Sequence, residues 1–287
     1  MADATIGVVG AGTMGNGIAQ VAAASGCEVV LCDVADAALQ KGMAAISQSL
    51  QRLVAKGTLT DAASAATIER IRMSTSLEAL VNCDVVIEAA TESVGLKLKI
   101  FGDLDRIAKP AAILASNTSS ISLTKIAATT RRPEQVIGMH FFNPVPVMKL
   151  VEIIRALQTS DETCAAIRAL TGKMGKTAVE VRNSPGFVAN RILLPMLNEA
   201  VFTLHEGLAS AEDIDRVMKL GMAHPIGPLA LADLIGLDTC LSILDVLYEG
   251  FRDPKYRPCP LWREKVDAGQ LGRKTGRGFF GYDAQKT

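Results

Sequence analysis

The stretch MHFFNPVPVMKLVEII, residues 139–154, sets a histidine, His140, in one apolar run and an acid, Glu152, in the next. Read as strands, alternate residues share a face, so Glu152 falls with Met148, Leu150 and Ile154 while Lys149 faces the other way. An ionised carboxylate on an apolar face is costly unless it is paired. His140 and Glu152 each stand six residues from Pro146, and a hairpin about that proline brings them opposite one another. Such a pair serves either as a static brace between strands or as a proton-transfer device. In the second use the acid orients an imidazole that titrates near neutrality.

A second constellation opens the chain. TIGVVGAGTMGNGIAQVAAASG reads as a strand, a glycine turn and a helix, with Gly10, Gly12 and Gly15 in G-x-G-x-x-G spacing. The next strand, EVVLCDV, carries Asp33, 23 residues after Gly10. Each part has a mechanical reason in dinucleotide binding. Gly10 permits the tight turn, Gly12 lets the backbone approach a pyrophosphate, and Gly15 allows close helix–strand packing. The helix N-terminus offers N–H groups to the phosphates. Asp33 would accept from the adenosine ribose hydroxyls and repel a 2′-phosphate; Val34 rather than arginine follows it. NAD is therefore favoured over NADP.

Elements that must position these groups follow from the pattern. DVVIEAA, AAILASNTSSIS and QVIGMHFFNP read as further buried strands that end in polar residues. Ligands in open α/β sheets gather outside the carboxyl ends of the strands. Glu92, Asn117, Ser119, Ser120, His140 and Asn143 all lie at or just past such ends. The predicted fold class is α/β: a Rossmann-type, mostly parallel sheet with helices on both faces over 1–183, then an all-α domain over 184–287. Within the first lies a helical excursion at about 36–70, with Lys41, Arg52 and Lys56 as solvated surface or a clamp for an anionic tail. TAVEV is the last strand. NSPGFVANRILLPML then predicts a helix with Ser184 as N-cap and Pro185 at its first position. Helical patterns continue through AEDIDRVMKLGM and, after AHPIGP, through the one run GPLALADLIGLDTCLSILDVLYEGF, which is rich in apolar residues all round and suits a homodimer through this domain.

Bulk composition narrows the class. The 287 residues carry 30 basic and 30 acidic side chains, so no nucleic-acid footprint spans the surface. Six cysteines show neither CxxC nor metal-ligand spacing, which points to a reducing compartment and no metal. No secretory leader precedes the first strand and no apolar run spans a membrane, so a cytoplasmic protein is expected. No G-x-S-x-G or cysteine–histidine arrangement argues for acyl hydrolysis.

GAGTMGNGIA, SNTSSIS, HFFNPVPVMKLVEII, NSPGFVANR, GLDT and GRKTGRGFFGY together resemble the 3-hydroxyacyl-CoA dehydrogenase family in its short single-function form, and its 3-hydroxybutyryl-CoA branch closely. The likeness spans essentially the whole chain. It implies NAD as cofactor and an acyl-CoA thioester as substrate, with the S configuration at the carbinol. His140 would be the catalytic base and acid, and Glu152 its orienting partner. Ser119 and Asn190 would hydrogen-bond the reacting oxygen and the neighbouring acyl group. Asp33 would bind the adenosine ribose, with Glu92, Lys97, Asn117 and Asn143 along the nicotinamide half and Lys274 as a further cofactor contact. Ser49 and Lys56 match positions that contact coenzyme A in relatives. Two other functions compete: a non-catalytic dinucleotide-binding protein, and a dehydrogenase of free hydroxy acids.

Overall fold

A computed structural model describes residues 4–282. They fall into two compact units that divide between Asn183 and Ser184. In the first unit the order is β1 (Thr5–Val9), α1 (Thr13–Ala24), β2 (Glu28–Cys32), α2 (Asp36–Ala55), α3 (Asp61–Glu69), β3 (Ile71–Ser74) and β4 (Val85–Glu88). It continues with α4 (Val94–Ile107), β5 (Ile113–Ser116), α5 (Leu123–Ala127), β6 (Val136–Phe141), β7 (Leu150–Arg155), α6 (Asp161–Lys173) and β8 (Thr177–Arg182). The strands form one sheet in the order β3-β2-β1-β4-β5-β6-β7-β8. β1 to β6 run parallel; β7 turns antiparallel to β6, and β8 pairs parallel to β7.

The central strands VVIE and ILAS are buried at every position, as parallel strands covered on both faces must be. β1 lies between β2 and β4, so the chain leaves it in opposite directions across the sheet. The crevice above that reversal is where such sheets bind ligands. The excursion is two helices. α2 is anchored by Leu39, Ile46 and Leu50 on one face, and Thr60 caps α3 by accepting from the Ala63 N–H.

The link between β6 and β7 is fixed from two sides. The buried Lys176 ammonium donates to the carbonyls of Val145 (2.5 Å) and Met148 (2.7 Å). From the other side α1 presents Gly17, where a Cβ would come within 2.8 Å of the Val145 Cβ.

The second unit comprises α7 (Ala189–His205), α8 (Ala211–Gly221), α9 (Pro228–Ile235), α10 (Leu237–Phe251) and α11 (Pro260–Asp267). Its core gathers Leu197, Val201, Leu229, Leu244 and Trp262. The buried Asp233 carboxylate accepts from the Phe279 and Phe280 N–H groups and the Tyr282 hydroxyl, tying the terminal segment to α9. Two expectations from sequence are corrected. The first helix begins at Ala189 rather than Pro185, because Gly186 (φ 70) and Phe187 (φ 50) take left-handed conformations that no helix continues. The run predicted as one helical stretch from Gly227 is two helices, broken at Gly236 (φ 104). Among the described residues no helix is long and apolar enough to cross a membrane.

Candidate active site

His140 and Glu152 are register partners in the antiparallel β6–β7 pair, and their side chains meet with Nδ1 2.8 Å from Oε2. Both are buried, at 6% and 2% exposure. A carboxylate facing Nδ1 accepts its proton, so the neutral imidazole is the Nδ1–H tautomer, with Nε2 carrying the lone pair. The Phe142 ring packs on the imidazole, with centroids 4.6 Å apart. Strands on either side hold the pair, so the ring has little room to turn.

Next to β6 stands β5, and its carboxyl end carries the SNTSS turn. The Asn117 side-chain oxygen accepts from the Phe141 N–H at 2.9 Å, which ties that turn to the residue after His140. Asn117 thus serves as a staple between the two strand ends. Glu92 organises the rest: its Oε1 accepts from the Ser119 N–H (3.0 Å), the Ser120 hydroxyl (2.8 Å) and the Thr118 hydroxyl. Burial pushes the Glu92 carboxyl up, but the Lys97 charge and these donors outweigh it and hold it below the usual range. Lys97 is itself buried, 2.6 Å from Glu88 Oε1 and 3.2 Å from Glu92 Oε2. Glu88, Thr118 and Lys176 were not singled out from sequence. For Glu88 the signal was present: an acid closes the apolar strand VVIE, the same anomaly that marked Glu152.

The glycine turn has the predicted mechanics. Gly10 sits at φ 101, and a Cβ there would lie 2.7 Å from the Ala89 carbonyl oxygen. A Cβ at Gly15 would overlap the Gly10 carbonyl oxygen, whereas Gly12 faces open space. α1 starts at Thr13 with Gly12 as N-cap and no side chain capping it, which leaves its N–H groups to a ligand. Asp33 Oδ2 accepts from the Ala11 N–H at 2.8 Å, so the acid also fixes the turn. A cavity of about 480 Å³ runs past Gly10, Gly12, Asp33, Ala90 and Thr91. These features fit a dinucleotide: an uncapped helix start, a glycine with room before it, and an acid one strand away.

A second cavity, of about 530 Å³, also touches Gly12 and brings Asn143 together with Lys41, Ser49 and Arg52 of α2. Lys56 is exposed at the C-cap of that helix, outside the cavity lining. In the second unit Asn190 is buried in the first turn of α7. Lys274 there pairs with Asp238, Nζ to Oδ1 at 2.6 Å.

Sequence models of two domains match this chain: the 3-hydroxyacyl-CoA dehydrogenase NAD binding domain over residues 5–184 and the C-terminal domain of the same enzymes over residues 186–282. The chain belongs to the 3-hydroxyacyl-CoA dehydrogenase family. Its first unit is the NAD-binding domain of these dehydrogenases, with the Rossmann-type sheet described above. A probable 3-hydroxybutyryl-CoA dehydrogenase of Bacillus subtilis is 57% identical over 276 residues, 96% of each chain. A 3-hydroxybutyryl-CoA dehydrogenase of Bradyrhizobium diazoefficiens is 54% identical over 281 residues, 98% of this chain and 96% of that one. The crystal structure of the (S)-3-hydroxybutyryl-CoA dehydrogenase of Ralstonia eutropha superposes with a TM-score of 0.95 at 60% identity, covering 98% of this chain and 99% of that one.

Proposed function

We propose that this 3-hydroxyacyl-CoA dehydrogenase interconverts (S)-3-hydroxybutyryl-CoA and acetoacetyl-CoA with NAD. The observation that carries the reading is the buried, register-matched His140–Glu152 pair at the carboxyl end of β6, stapled through Asn117 to the turn bearing Ser119. Oxidising a secondary alcohol requires the O–H proton to leave as hydride departs from the same carbon. NAD, when bound, takes up that hydride. His140 Nε2 accepts the proton, and Glu152 stabilises the imidazolium that forms; in reduction the imidazolium returns the proton to the oxygen. Ser119 and Asn190 hydrogen-bond that oxygen and the acyl group. Glu92, Lys97, Asn117, Asn143 and Lys274 serve the cofactor. Ser49 and Lys56, with Asn143, serve the coenzyme A side; the grouping of Ser49 and Asn143 about one cavity supports that part.

A non-catalytic dinucleotide-binding role would place no demand on a buried histidine–acid pair, and a free hydroxy acid would call for a cation beside the chemistry. Six buried free cysteines support a reducing cytoplasm as the location. We also propose a homodimer through the helical unit.

The deciding experiment follows NADH absorbance after addition of acetoacetyl-CoA, with NADPH and free acetoacetate in parallel. Loss of absorbance with NADH and the thioester alone is the expected result. Folded protein that binds NADH and consumes none would overturn the assignment.

A further inference from the structure

Glu88 is the most deeply buried acid beside the proposed site, and no role attaches to it in the chemistry above. It is fully enclosed at the last position of β4. Its Oε1 accepts from the Lys97 ammonium (2.6 Å) and the Ala90 N–H (2.7 Å), and its Oε2 from the Ser116 hydroxyl (2.7 Å). The Ser116 oxygen in turn accepts from the Thr118 N–H at 3.2 Å. One carboxylate therefore joins three segments: Ala90 on the wall of the dinucleotide cavity, α4 through Lys97, and the turn that carries Ser119. Lys97 also donates to the Ala90 carbonyl (3.1 Å) and lies 3.2 Å from Glu92, so the ammonium is held between two carboxylates.

Charge and topology give this arrangement a direction. Glu88, Glu92 and Lys97 sum to one net negative charge. The dinucleotide folds of this kind bind one nucleotide on each side of the strand reversal. Asp33 at the end of β2 takes the adenosine side, which leaves the ends of β4 and β5 for the nicotinamide. That ring is a cation when oxidised and neutral when reduced. We propose that Glu88 is a positioning residue for the cofactor: it fixes Lys97 and the Ser116–Ser120 turn, and supplies the buried negative charge that favours the oxidised over the reduced nicotinamide. The inference rests on the reading of Glu92 and Lys97 as serving the nicotinamide half, and not on the identity of the acyl substrate.

Glu88→Gln tests it with little change of shape. The amide oxygen still accepts from Lys97 and Ala90, and the amide nitrogen faces a Ser116 hydroxyl that rotates to accept. Dissociation constants for NAD and NADH are measured by calorimetry on the full chain, with the melting temperature as a check on folding. A unit charge roughly 10 Å away at an effective dielectric of about 20 shifts such a ratio about tenfold. The Kd ratio of NAD to NADH is expected to rise by about that factor, through weaker binding of NAD. Equal changes in both constants, or none, overturn the proposal and leave Glu88 a structural ion-pair partner. Glu92→Gln runs in parallel. An unchanged ratio in both variants overturns the placement of the nicotinamide as well, whereas a change in Glu92→Gln alone removes only the role of Glu88. Should Glu88→Gln melt below the assay temperature, the double variant Glu88→Gln/Lys97→Met carries the test. It carries one negative charge fewer than Lys97→Met alone, and the proposal requires its Kd ratio of NAD to NADH to exceed that of Lys97→Met by about the same factor; equal ratios in the two overturn it.

Discussion

His140 and Glu152 differ in how their removal is read. His140→Ala deletes the proposed proton acceptor while leaving the glycine turn and Asp33 untouched. Turnover should fall by about 10²–10⁴, the usual worth of general acid–base assistance, while the NADH dissociation constant stays within about twofold. Glu152→Gln keeps an oxygen that accepts from Nδ1–H but removes the charge that stabilises the imidazolium. Steady-state kinetics across pH should show a lower kcat, or a displaced pH profile, in protein whose melting temperature is close to that of the parent. Turnover that ignores both substitutions would make the pair a brace between strands. Period-two face arithmetic was enough to single out Glu152, and its equal distance from Pro146 set it across from His140, as the strand register has it. Glu88 obeys the same logic, yet its partners lie 9 and 28 residues away, on a helix and on another strand. Only the fold brings them to it, so its role was not legible from local sequence.

At the scale of elements, the end of α4 is held to the turn before β6 by one carboxylate. Asp105 accepts from the Arg131 N–H and Nε, both at 3.1 Å, and from Arg132 Nε at 2.9 Å. Arg132 also donates to the backbone carbonyls of Lys109 (2.6 Å) and Asp105 (2.7 Å). Burial pushes the Asp105 carboxyl up, but the Arg131 and Arg132 donors outweigh it and hold it below the usual carboxylate range. A folded-state value below the unfolded one means the unfolded chain binds more protons in that window, so stability rises with pH. The contribution is complete above a pH of about 4, the unfolded value for aspartate, and is lost as pH falls through the lower folded value. Asp105→Asn should melt about 5 °C below the parent at neutral pH. Calorimetric scans from pH 7 downward should show that gap closing below a pH of about 4. A gap that stays constant with pH would mean that the carboxylate charge contributes nothing to the brace. The central strands were readable as apolar runs that end in polar residues, and the excursion as helical over about 36–70, but its division into α2 and α3 was not read. Nor was the start of α7: Ser-Pro is a sound cap signal, but Gly186 and the buried Phe187 turn left-handed first.

For the whole molecule, the two units divide the work unequally. The first carries the His140–Glu152 pair, the glycine turn and both cavities described above, and the second carries a group of large apolar side chains in water on one helix. Val217 and Leu220 of α8 are 61% and 80% exposed, and Met222 just beyond the helix is 61% exposed. Residues three apart share a helix face, so Val217 and Leu220 form one patch. Apolar groups grouped in this way commonly mark an interface, and a stable one covers about 800 Å² on each partner. Sequence pattern pointed to this domain for a dimer but favoured its later helices; the exposure of α8 shifts the expected contact toward the earlier one. Light scattering behind a sizing column should give a mass near twice 30.3 kDa. Val217→Asp combined with Leu220→Asp should convert it to a single chain, because two desolvated carboxylates at an apolar contact are costly. A parent that elutes at 30.3 kDa removes the dimer. A parent of twice that mass whose double variant stays paired keeps the dimer and moves its contact off α8, onto other exposed apolar positions of the unit such as Ile192, Leu208 and Leu234.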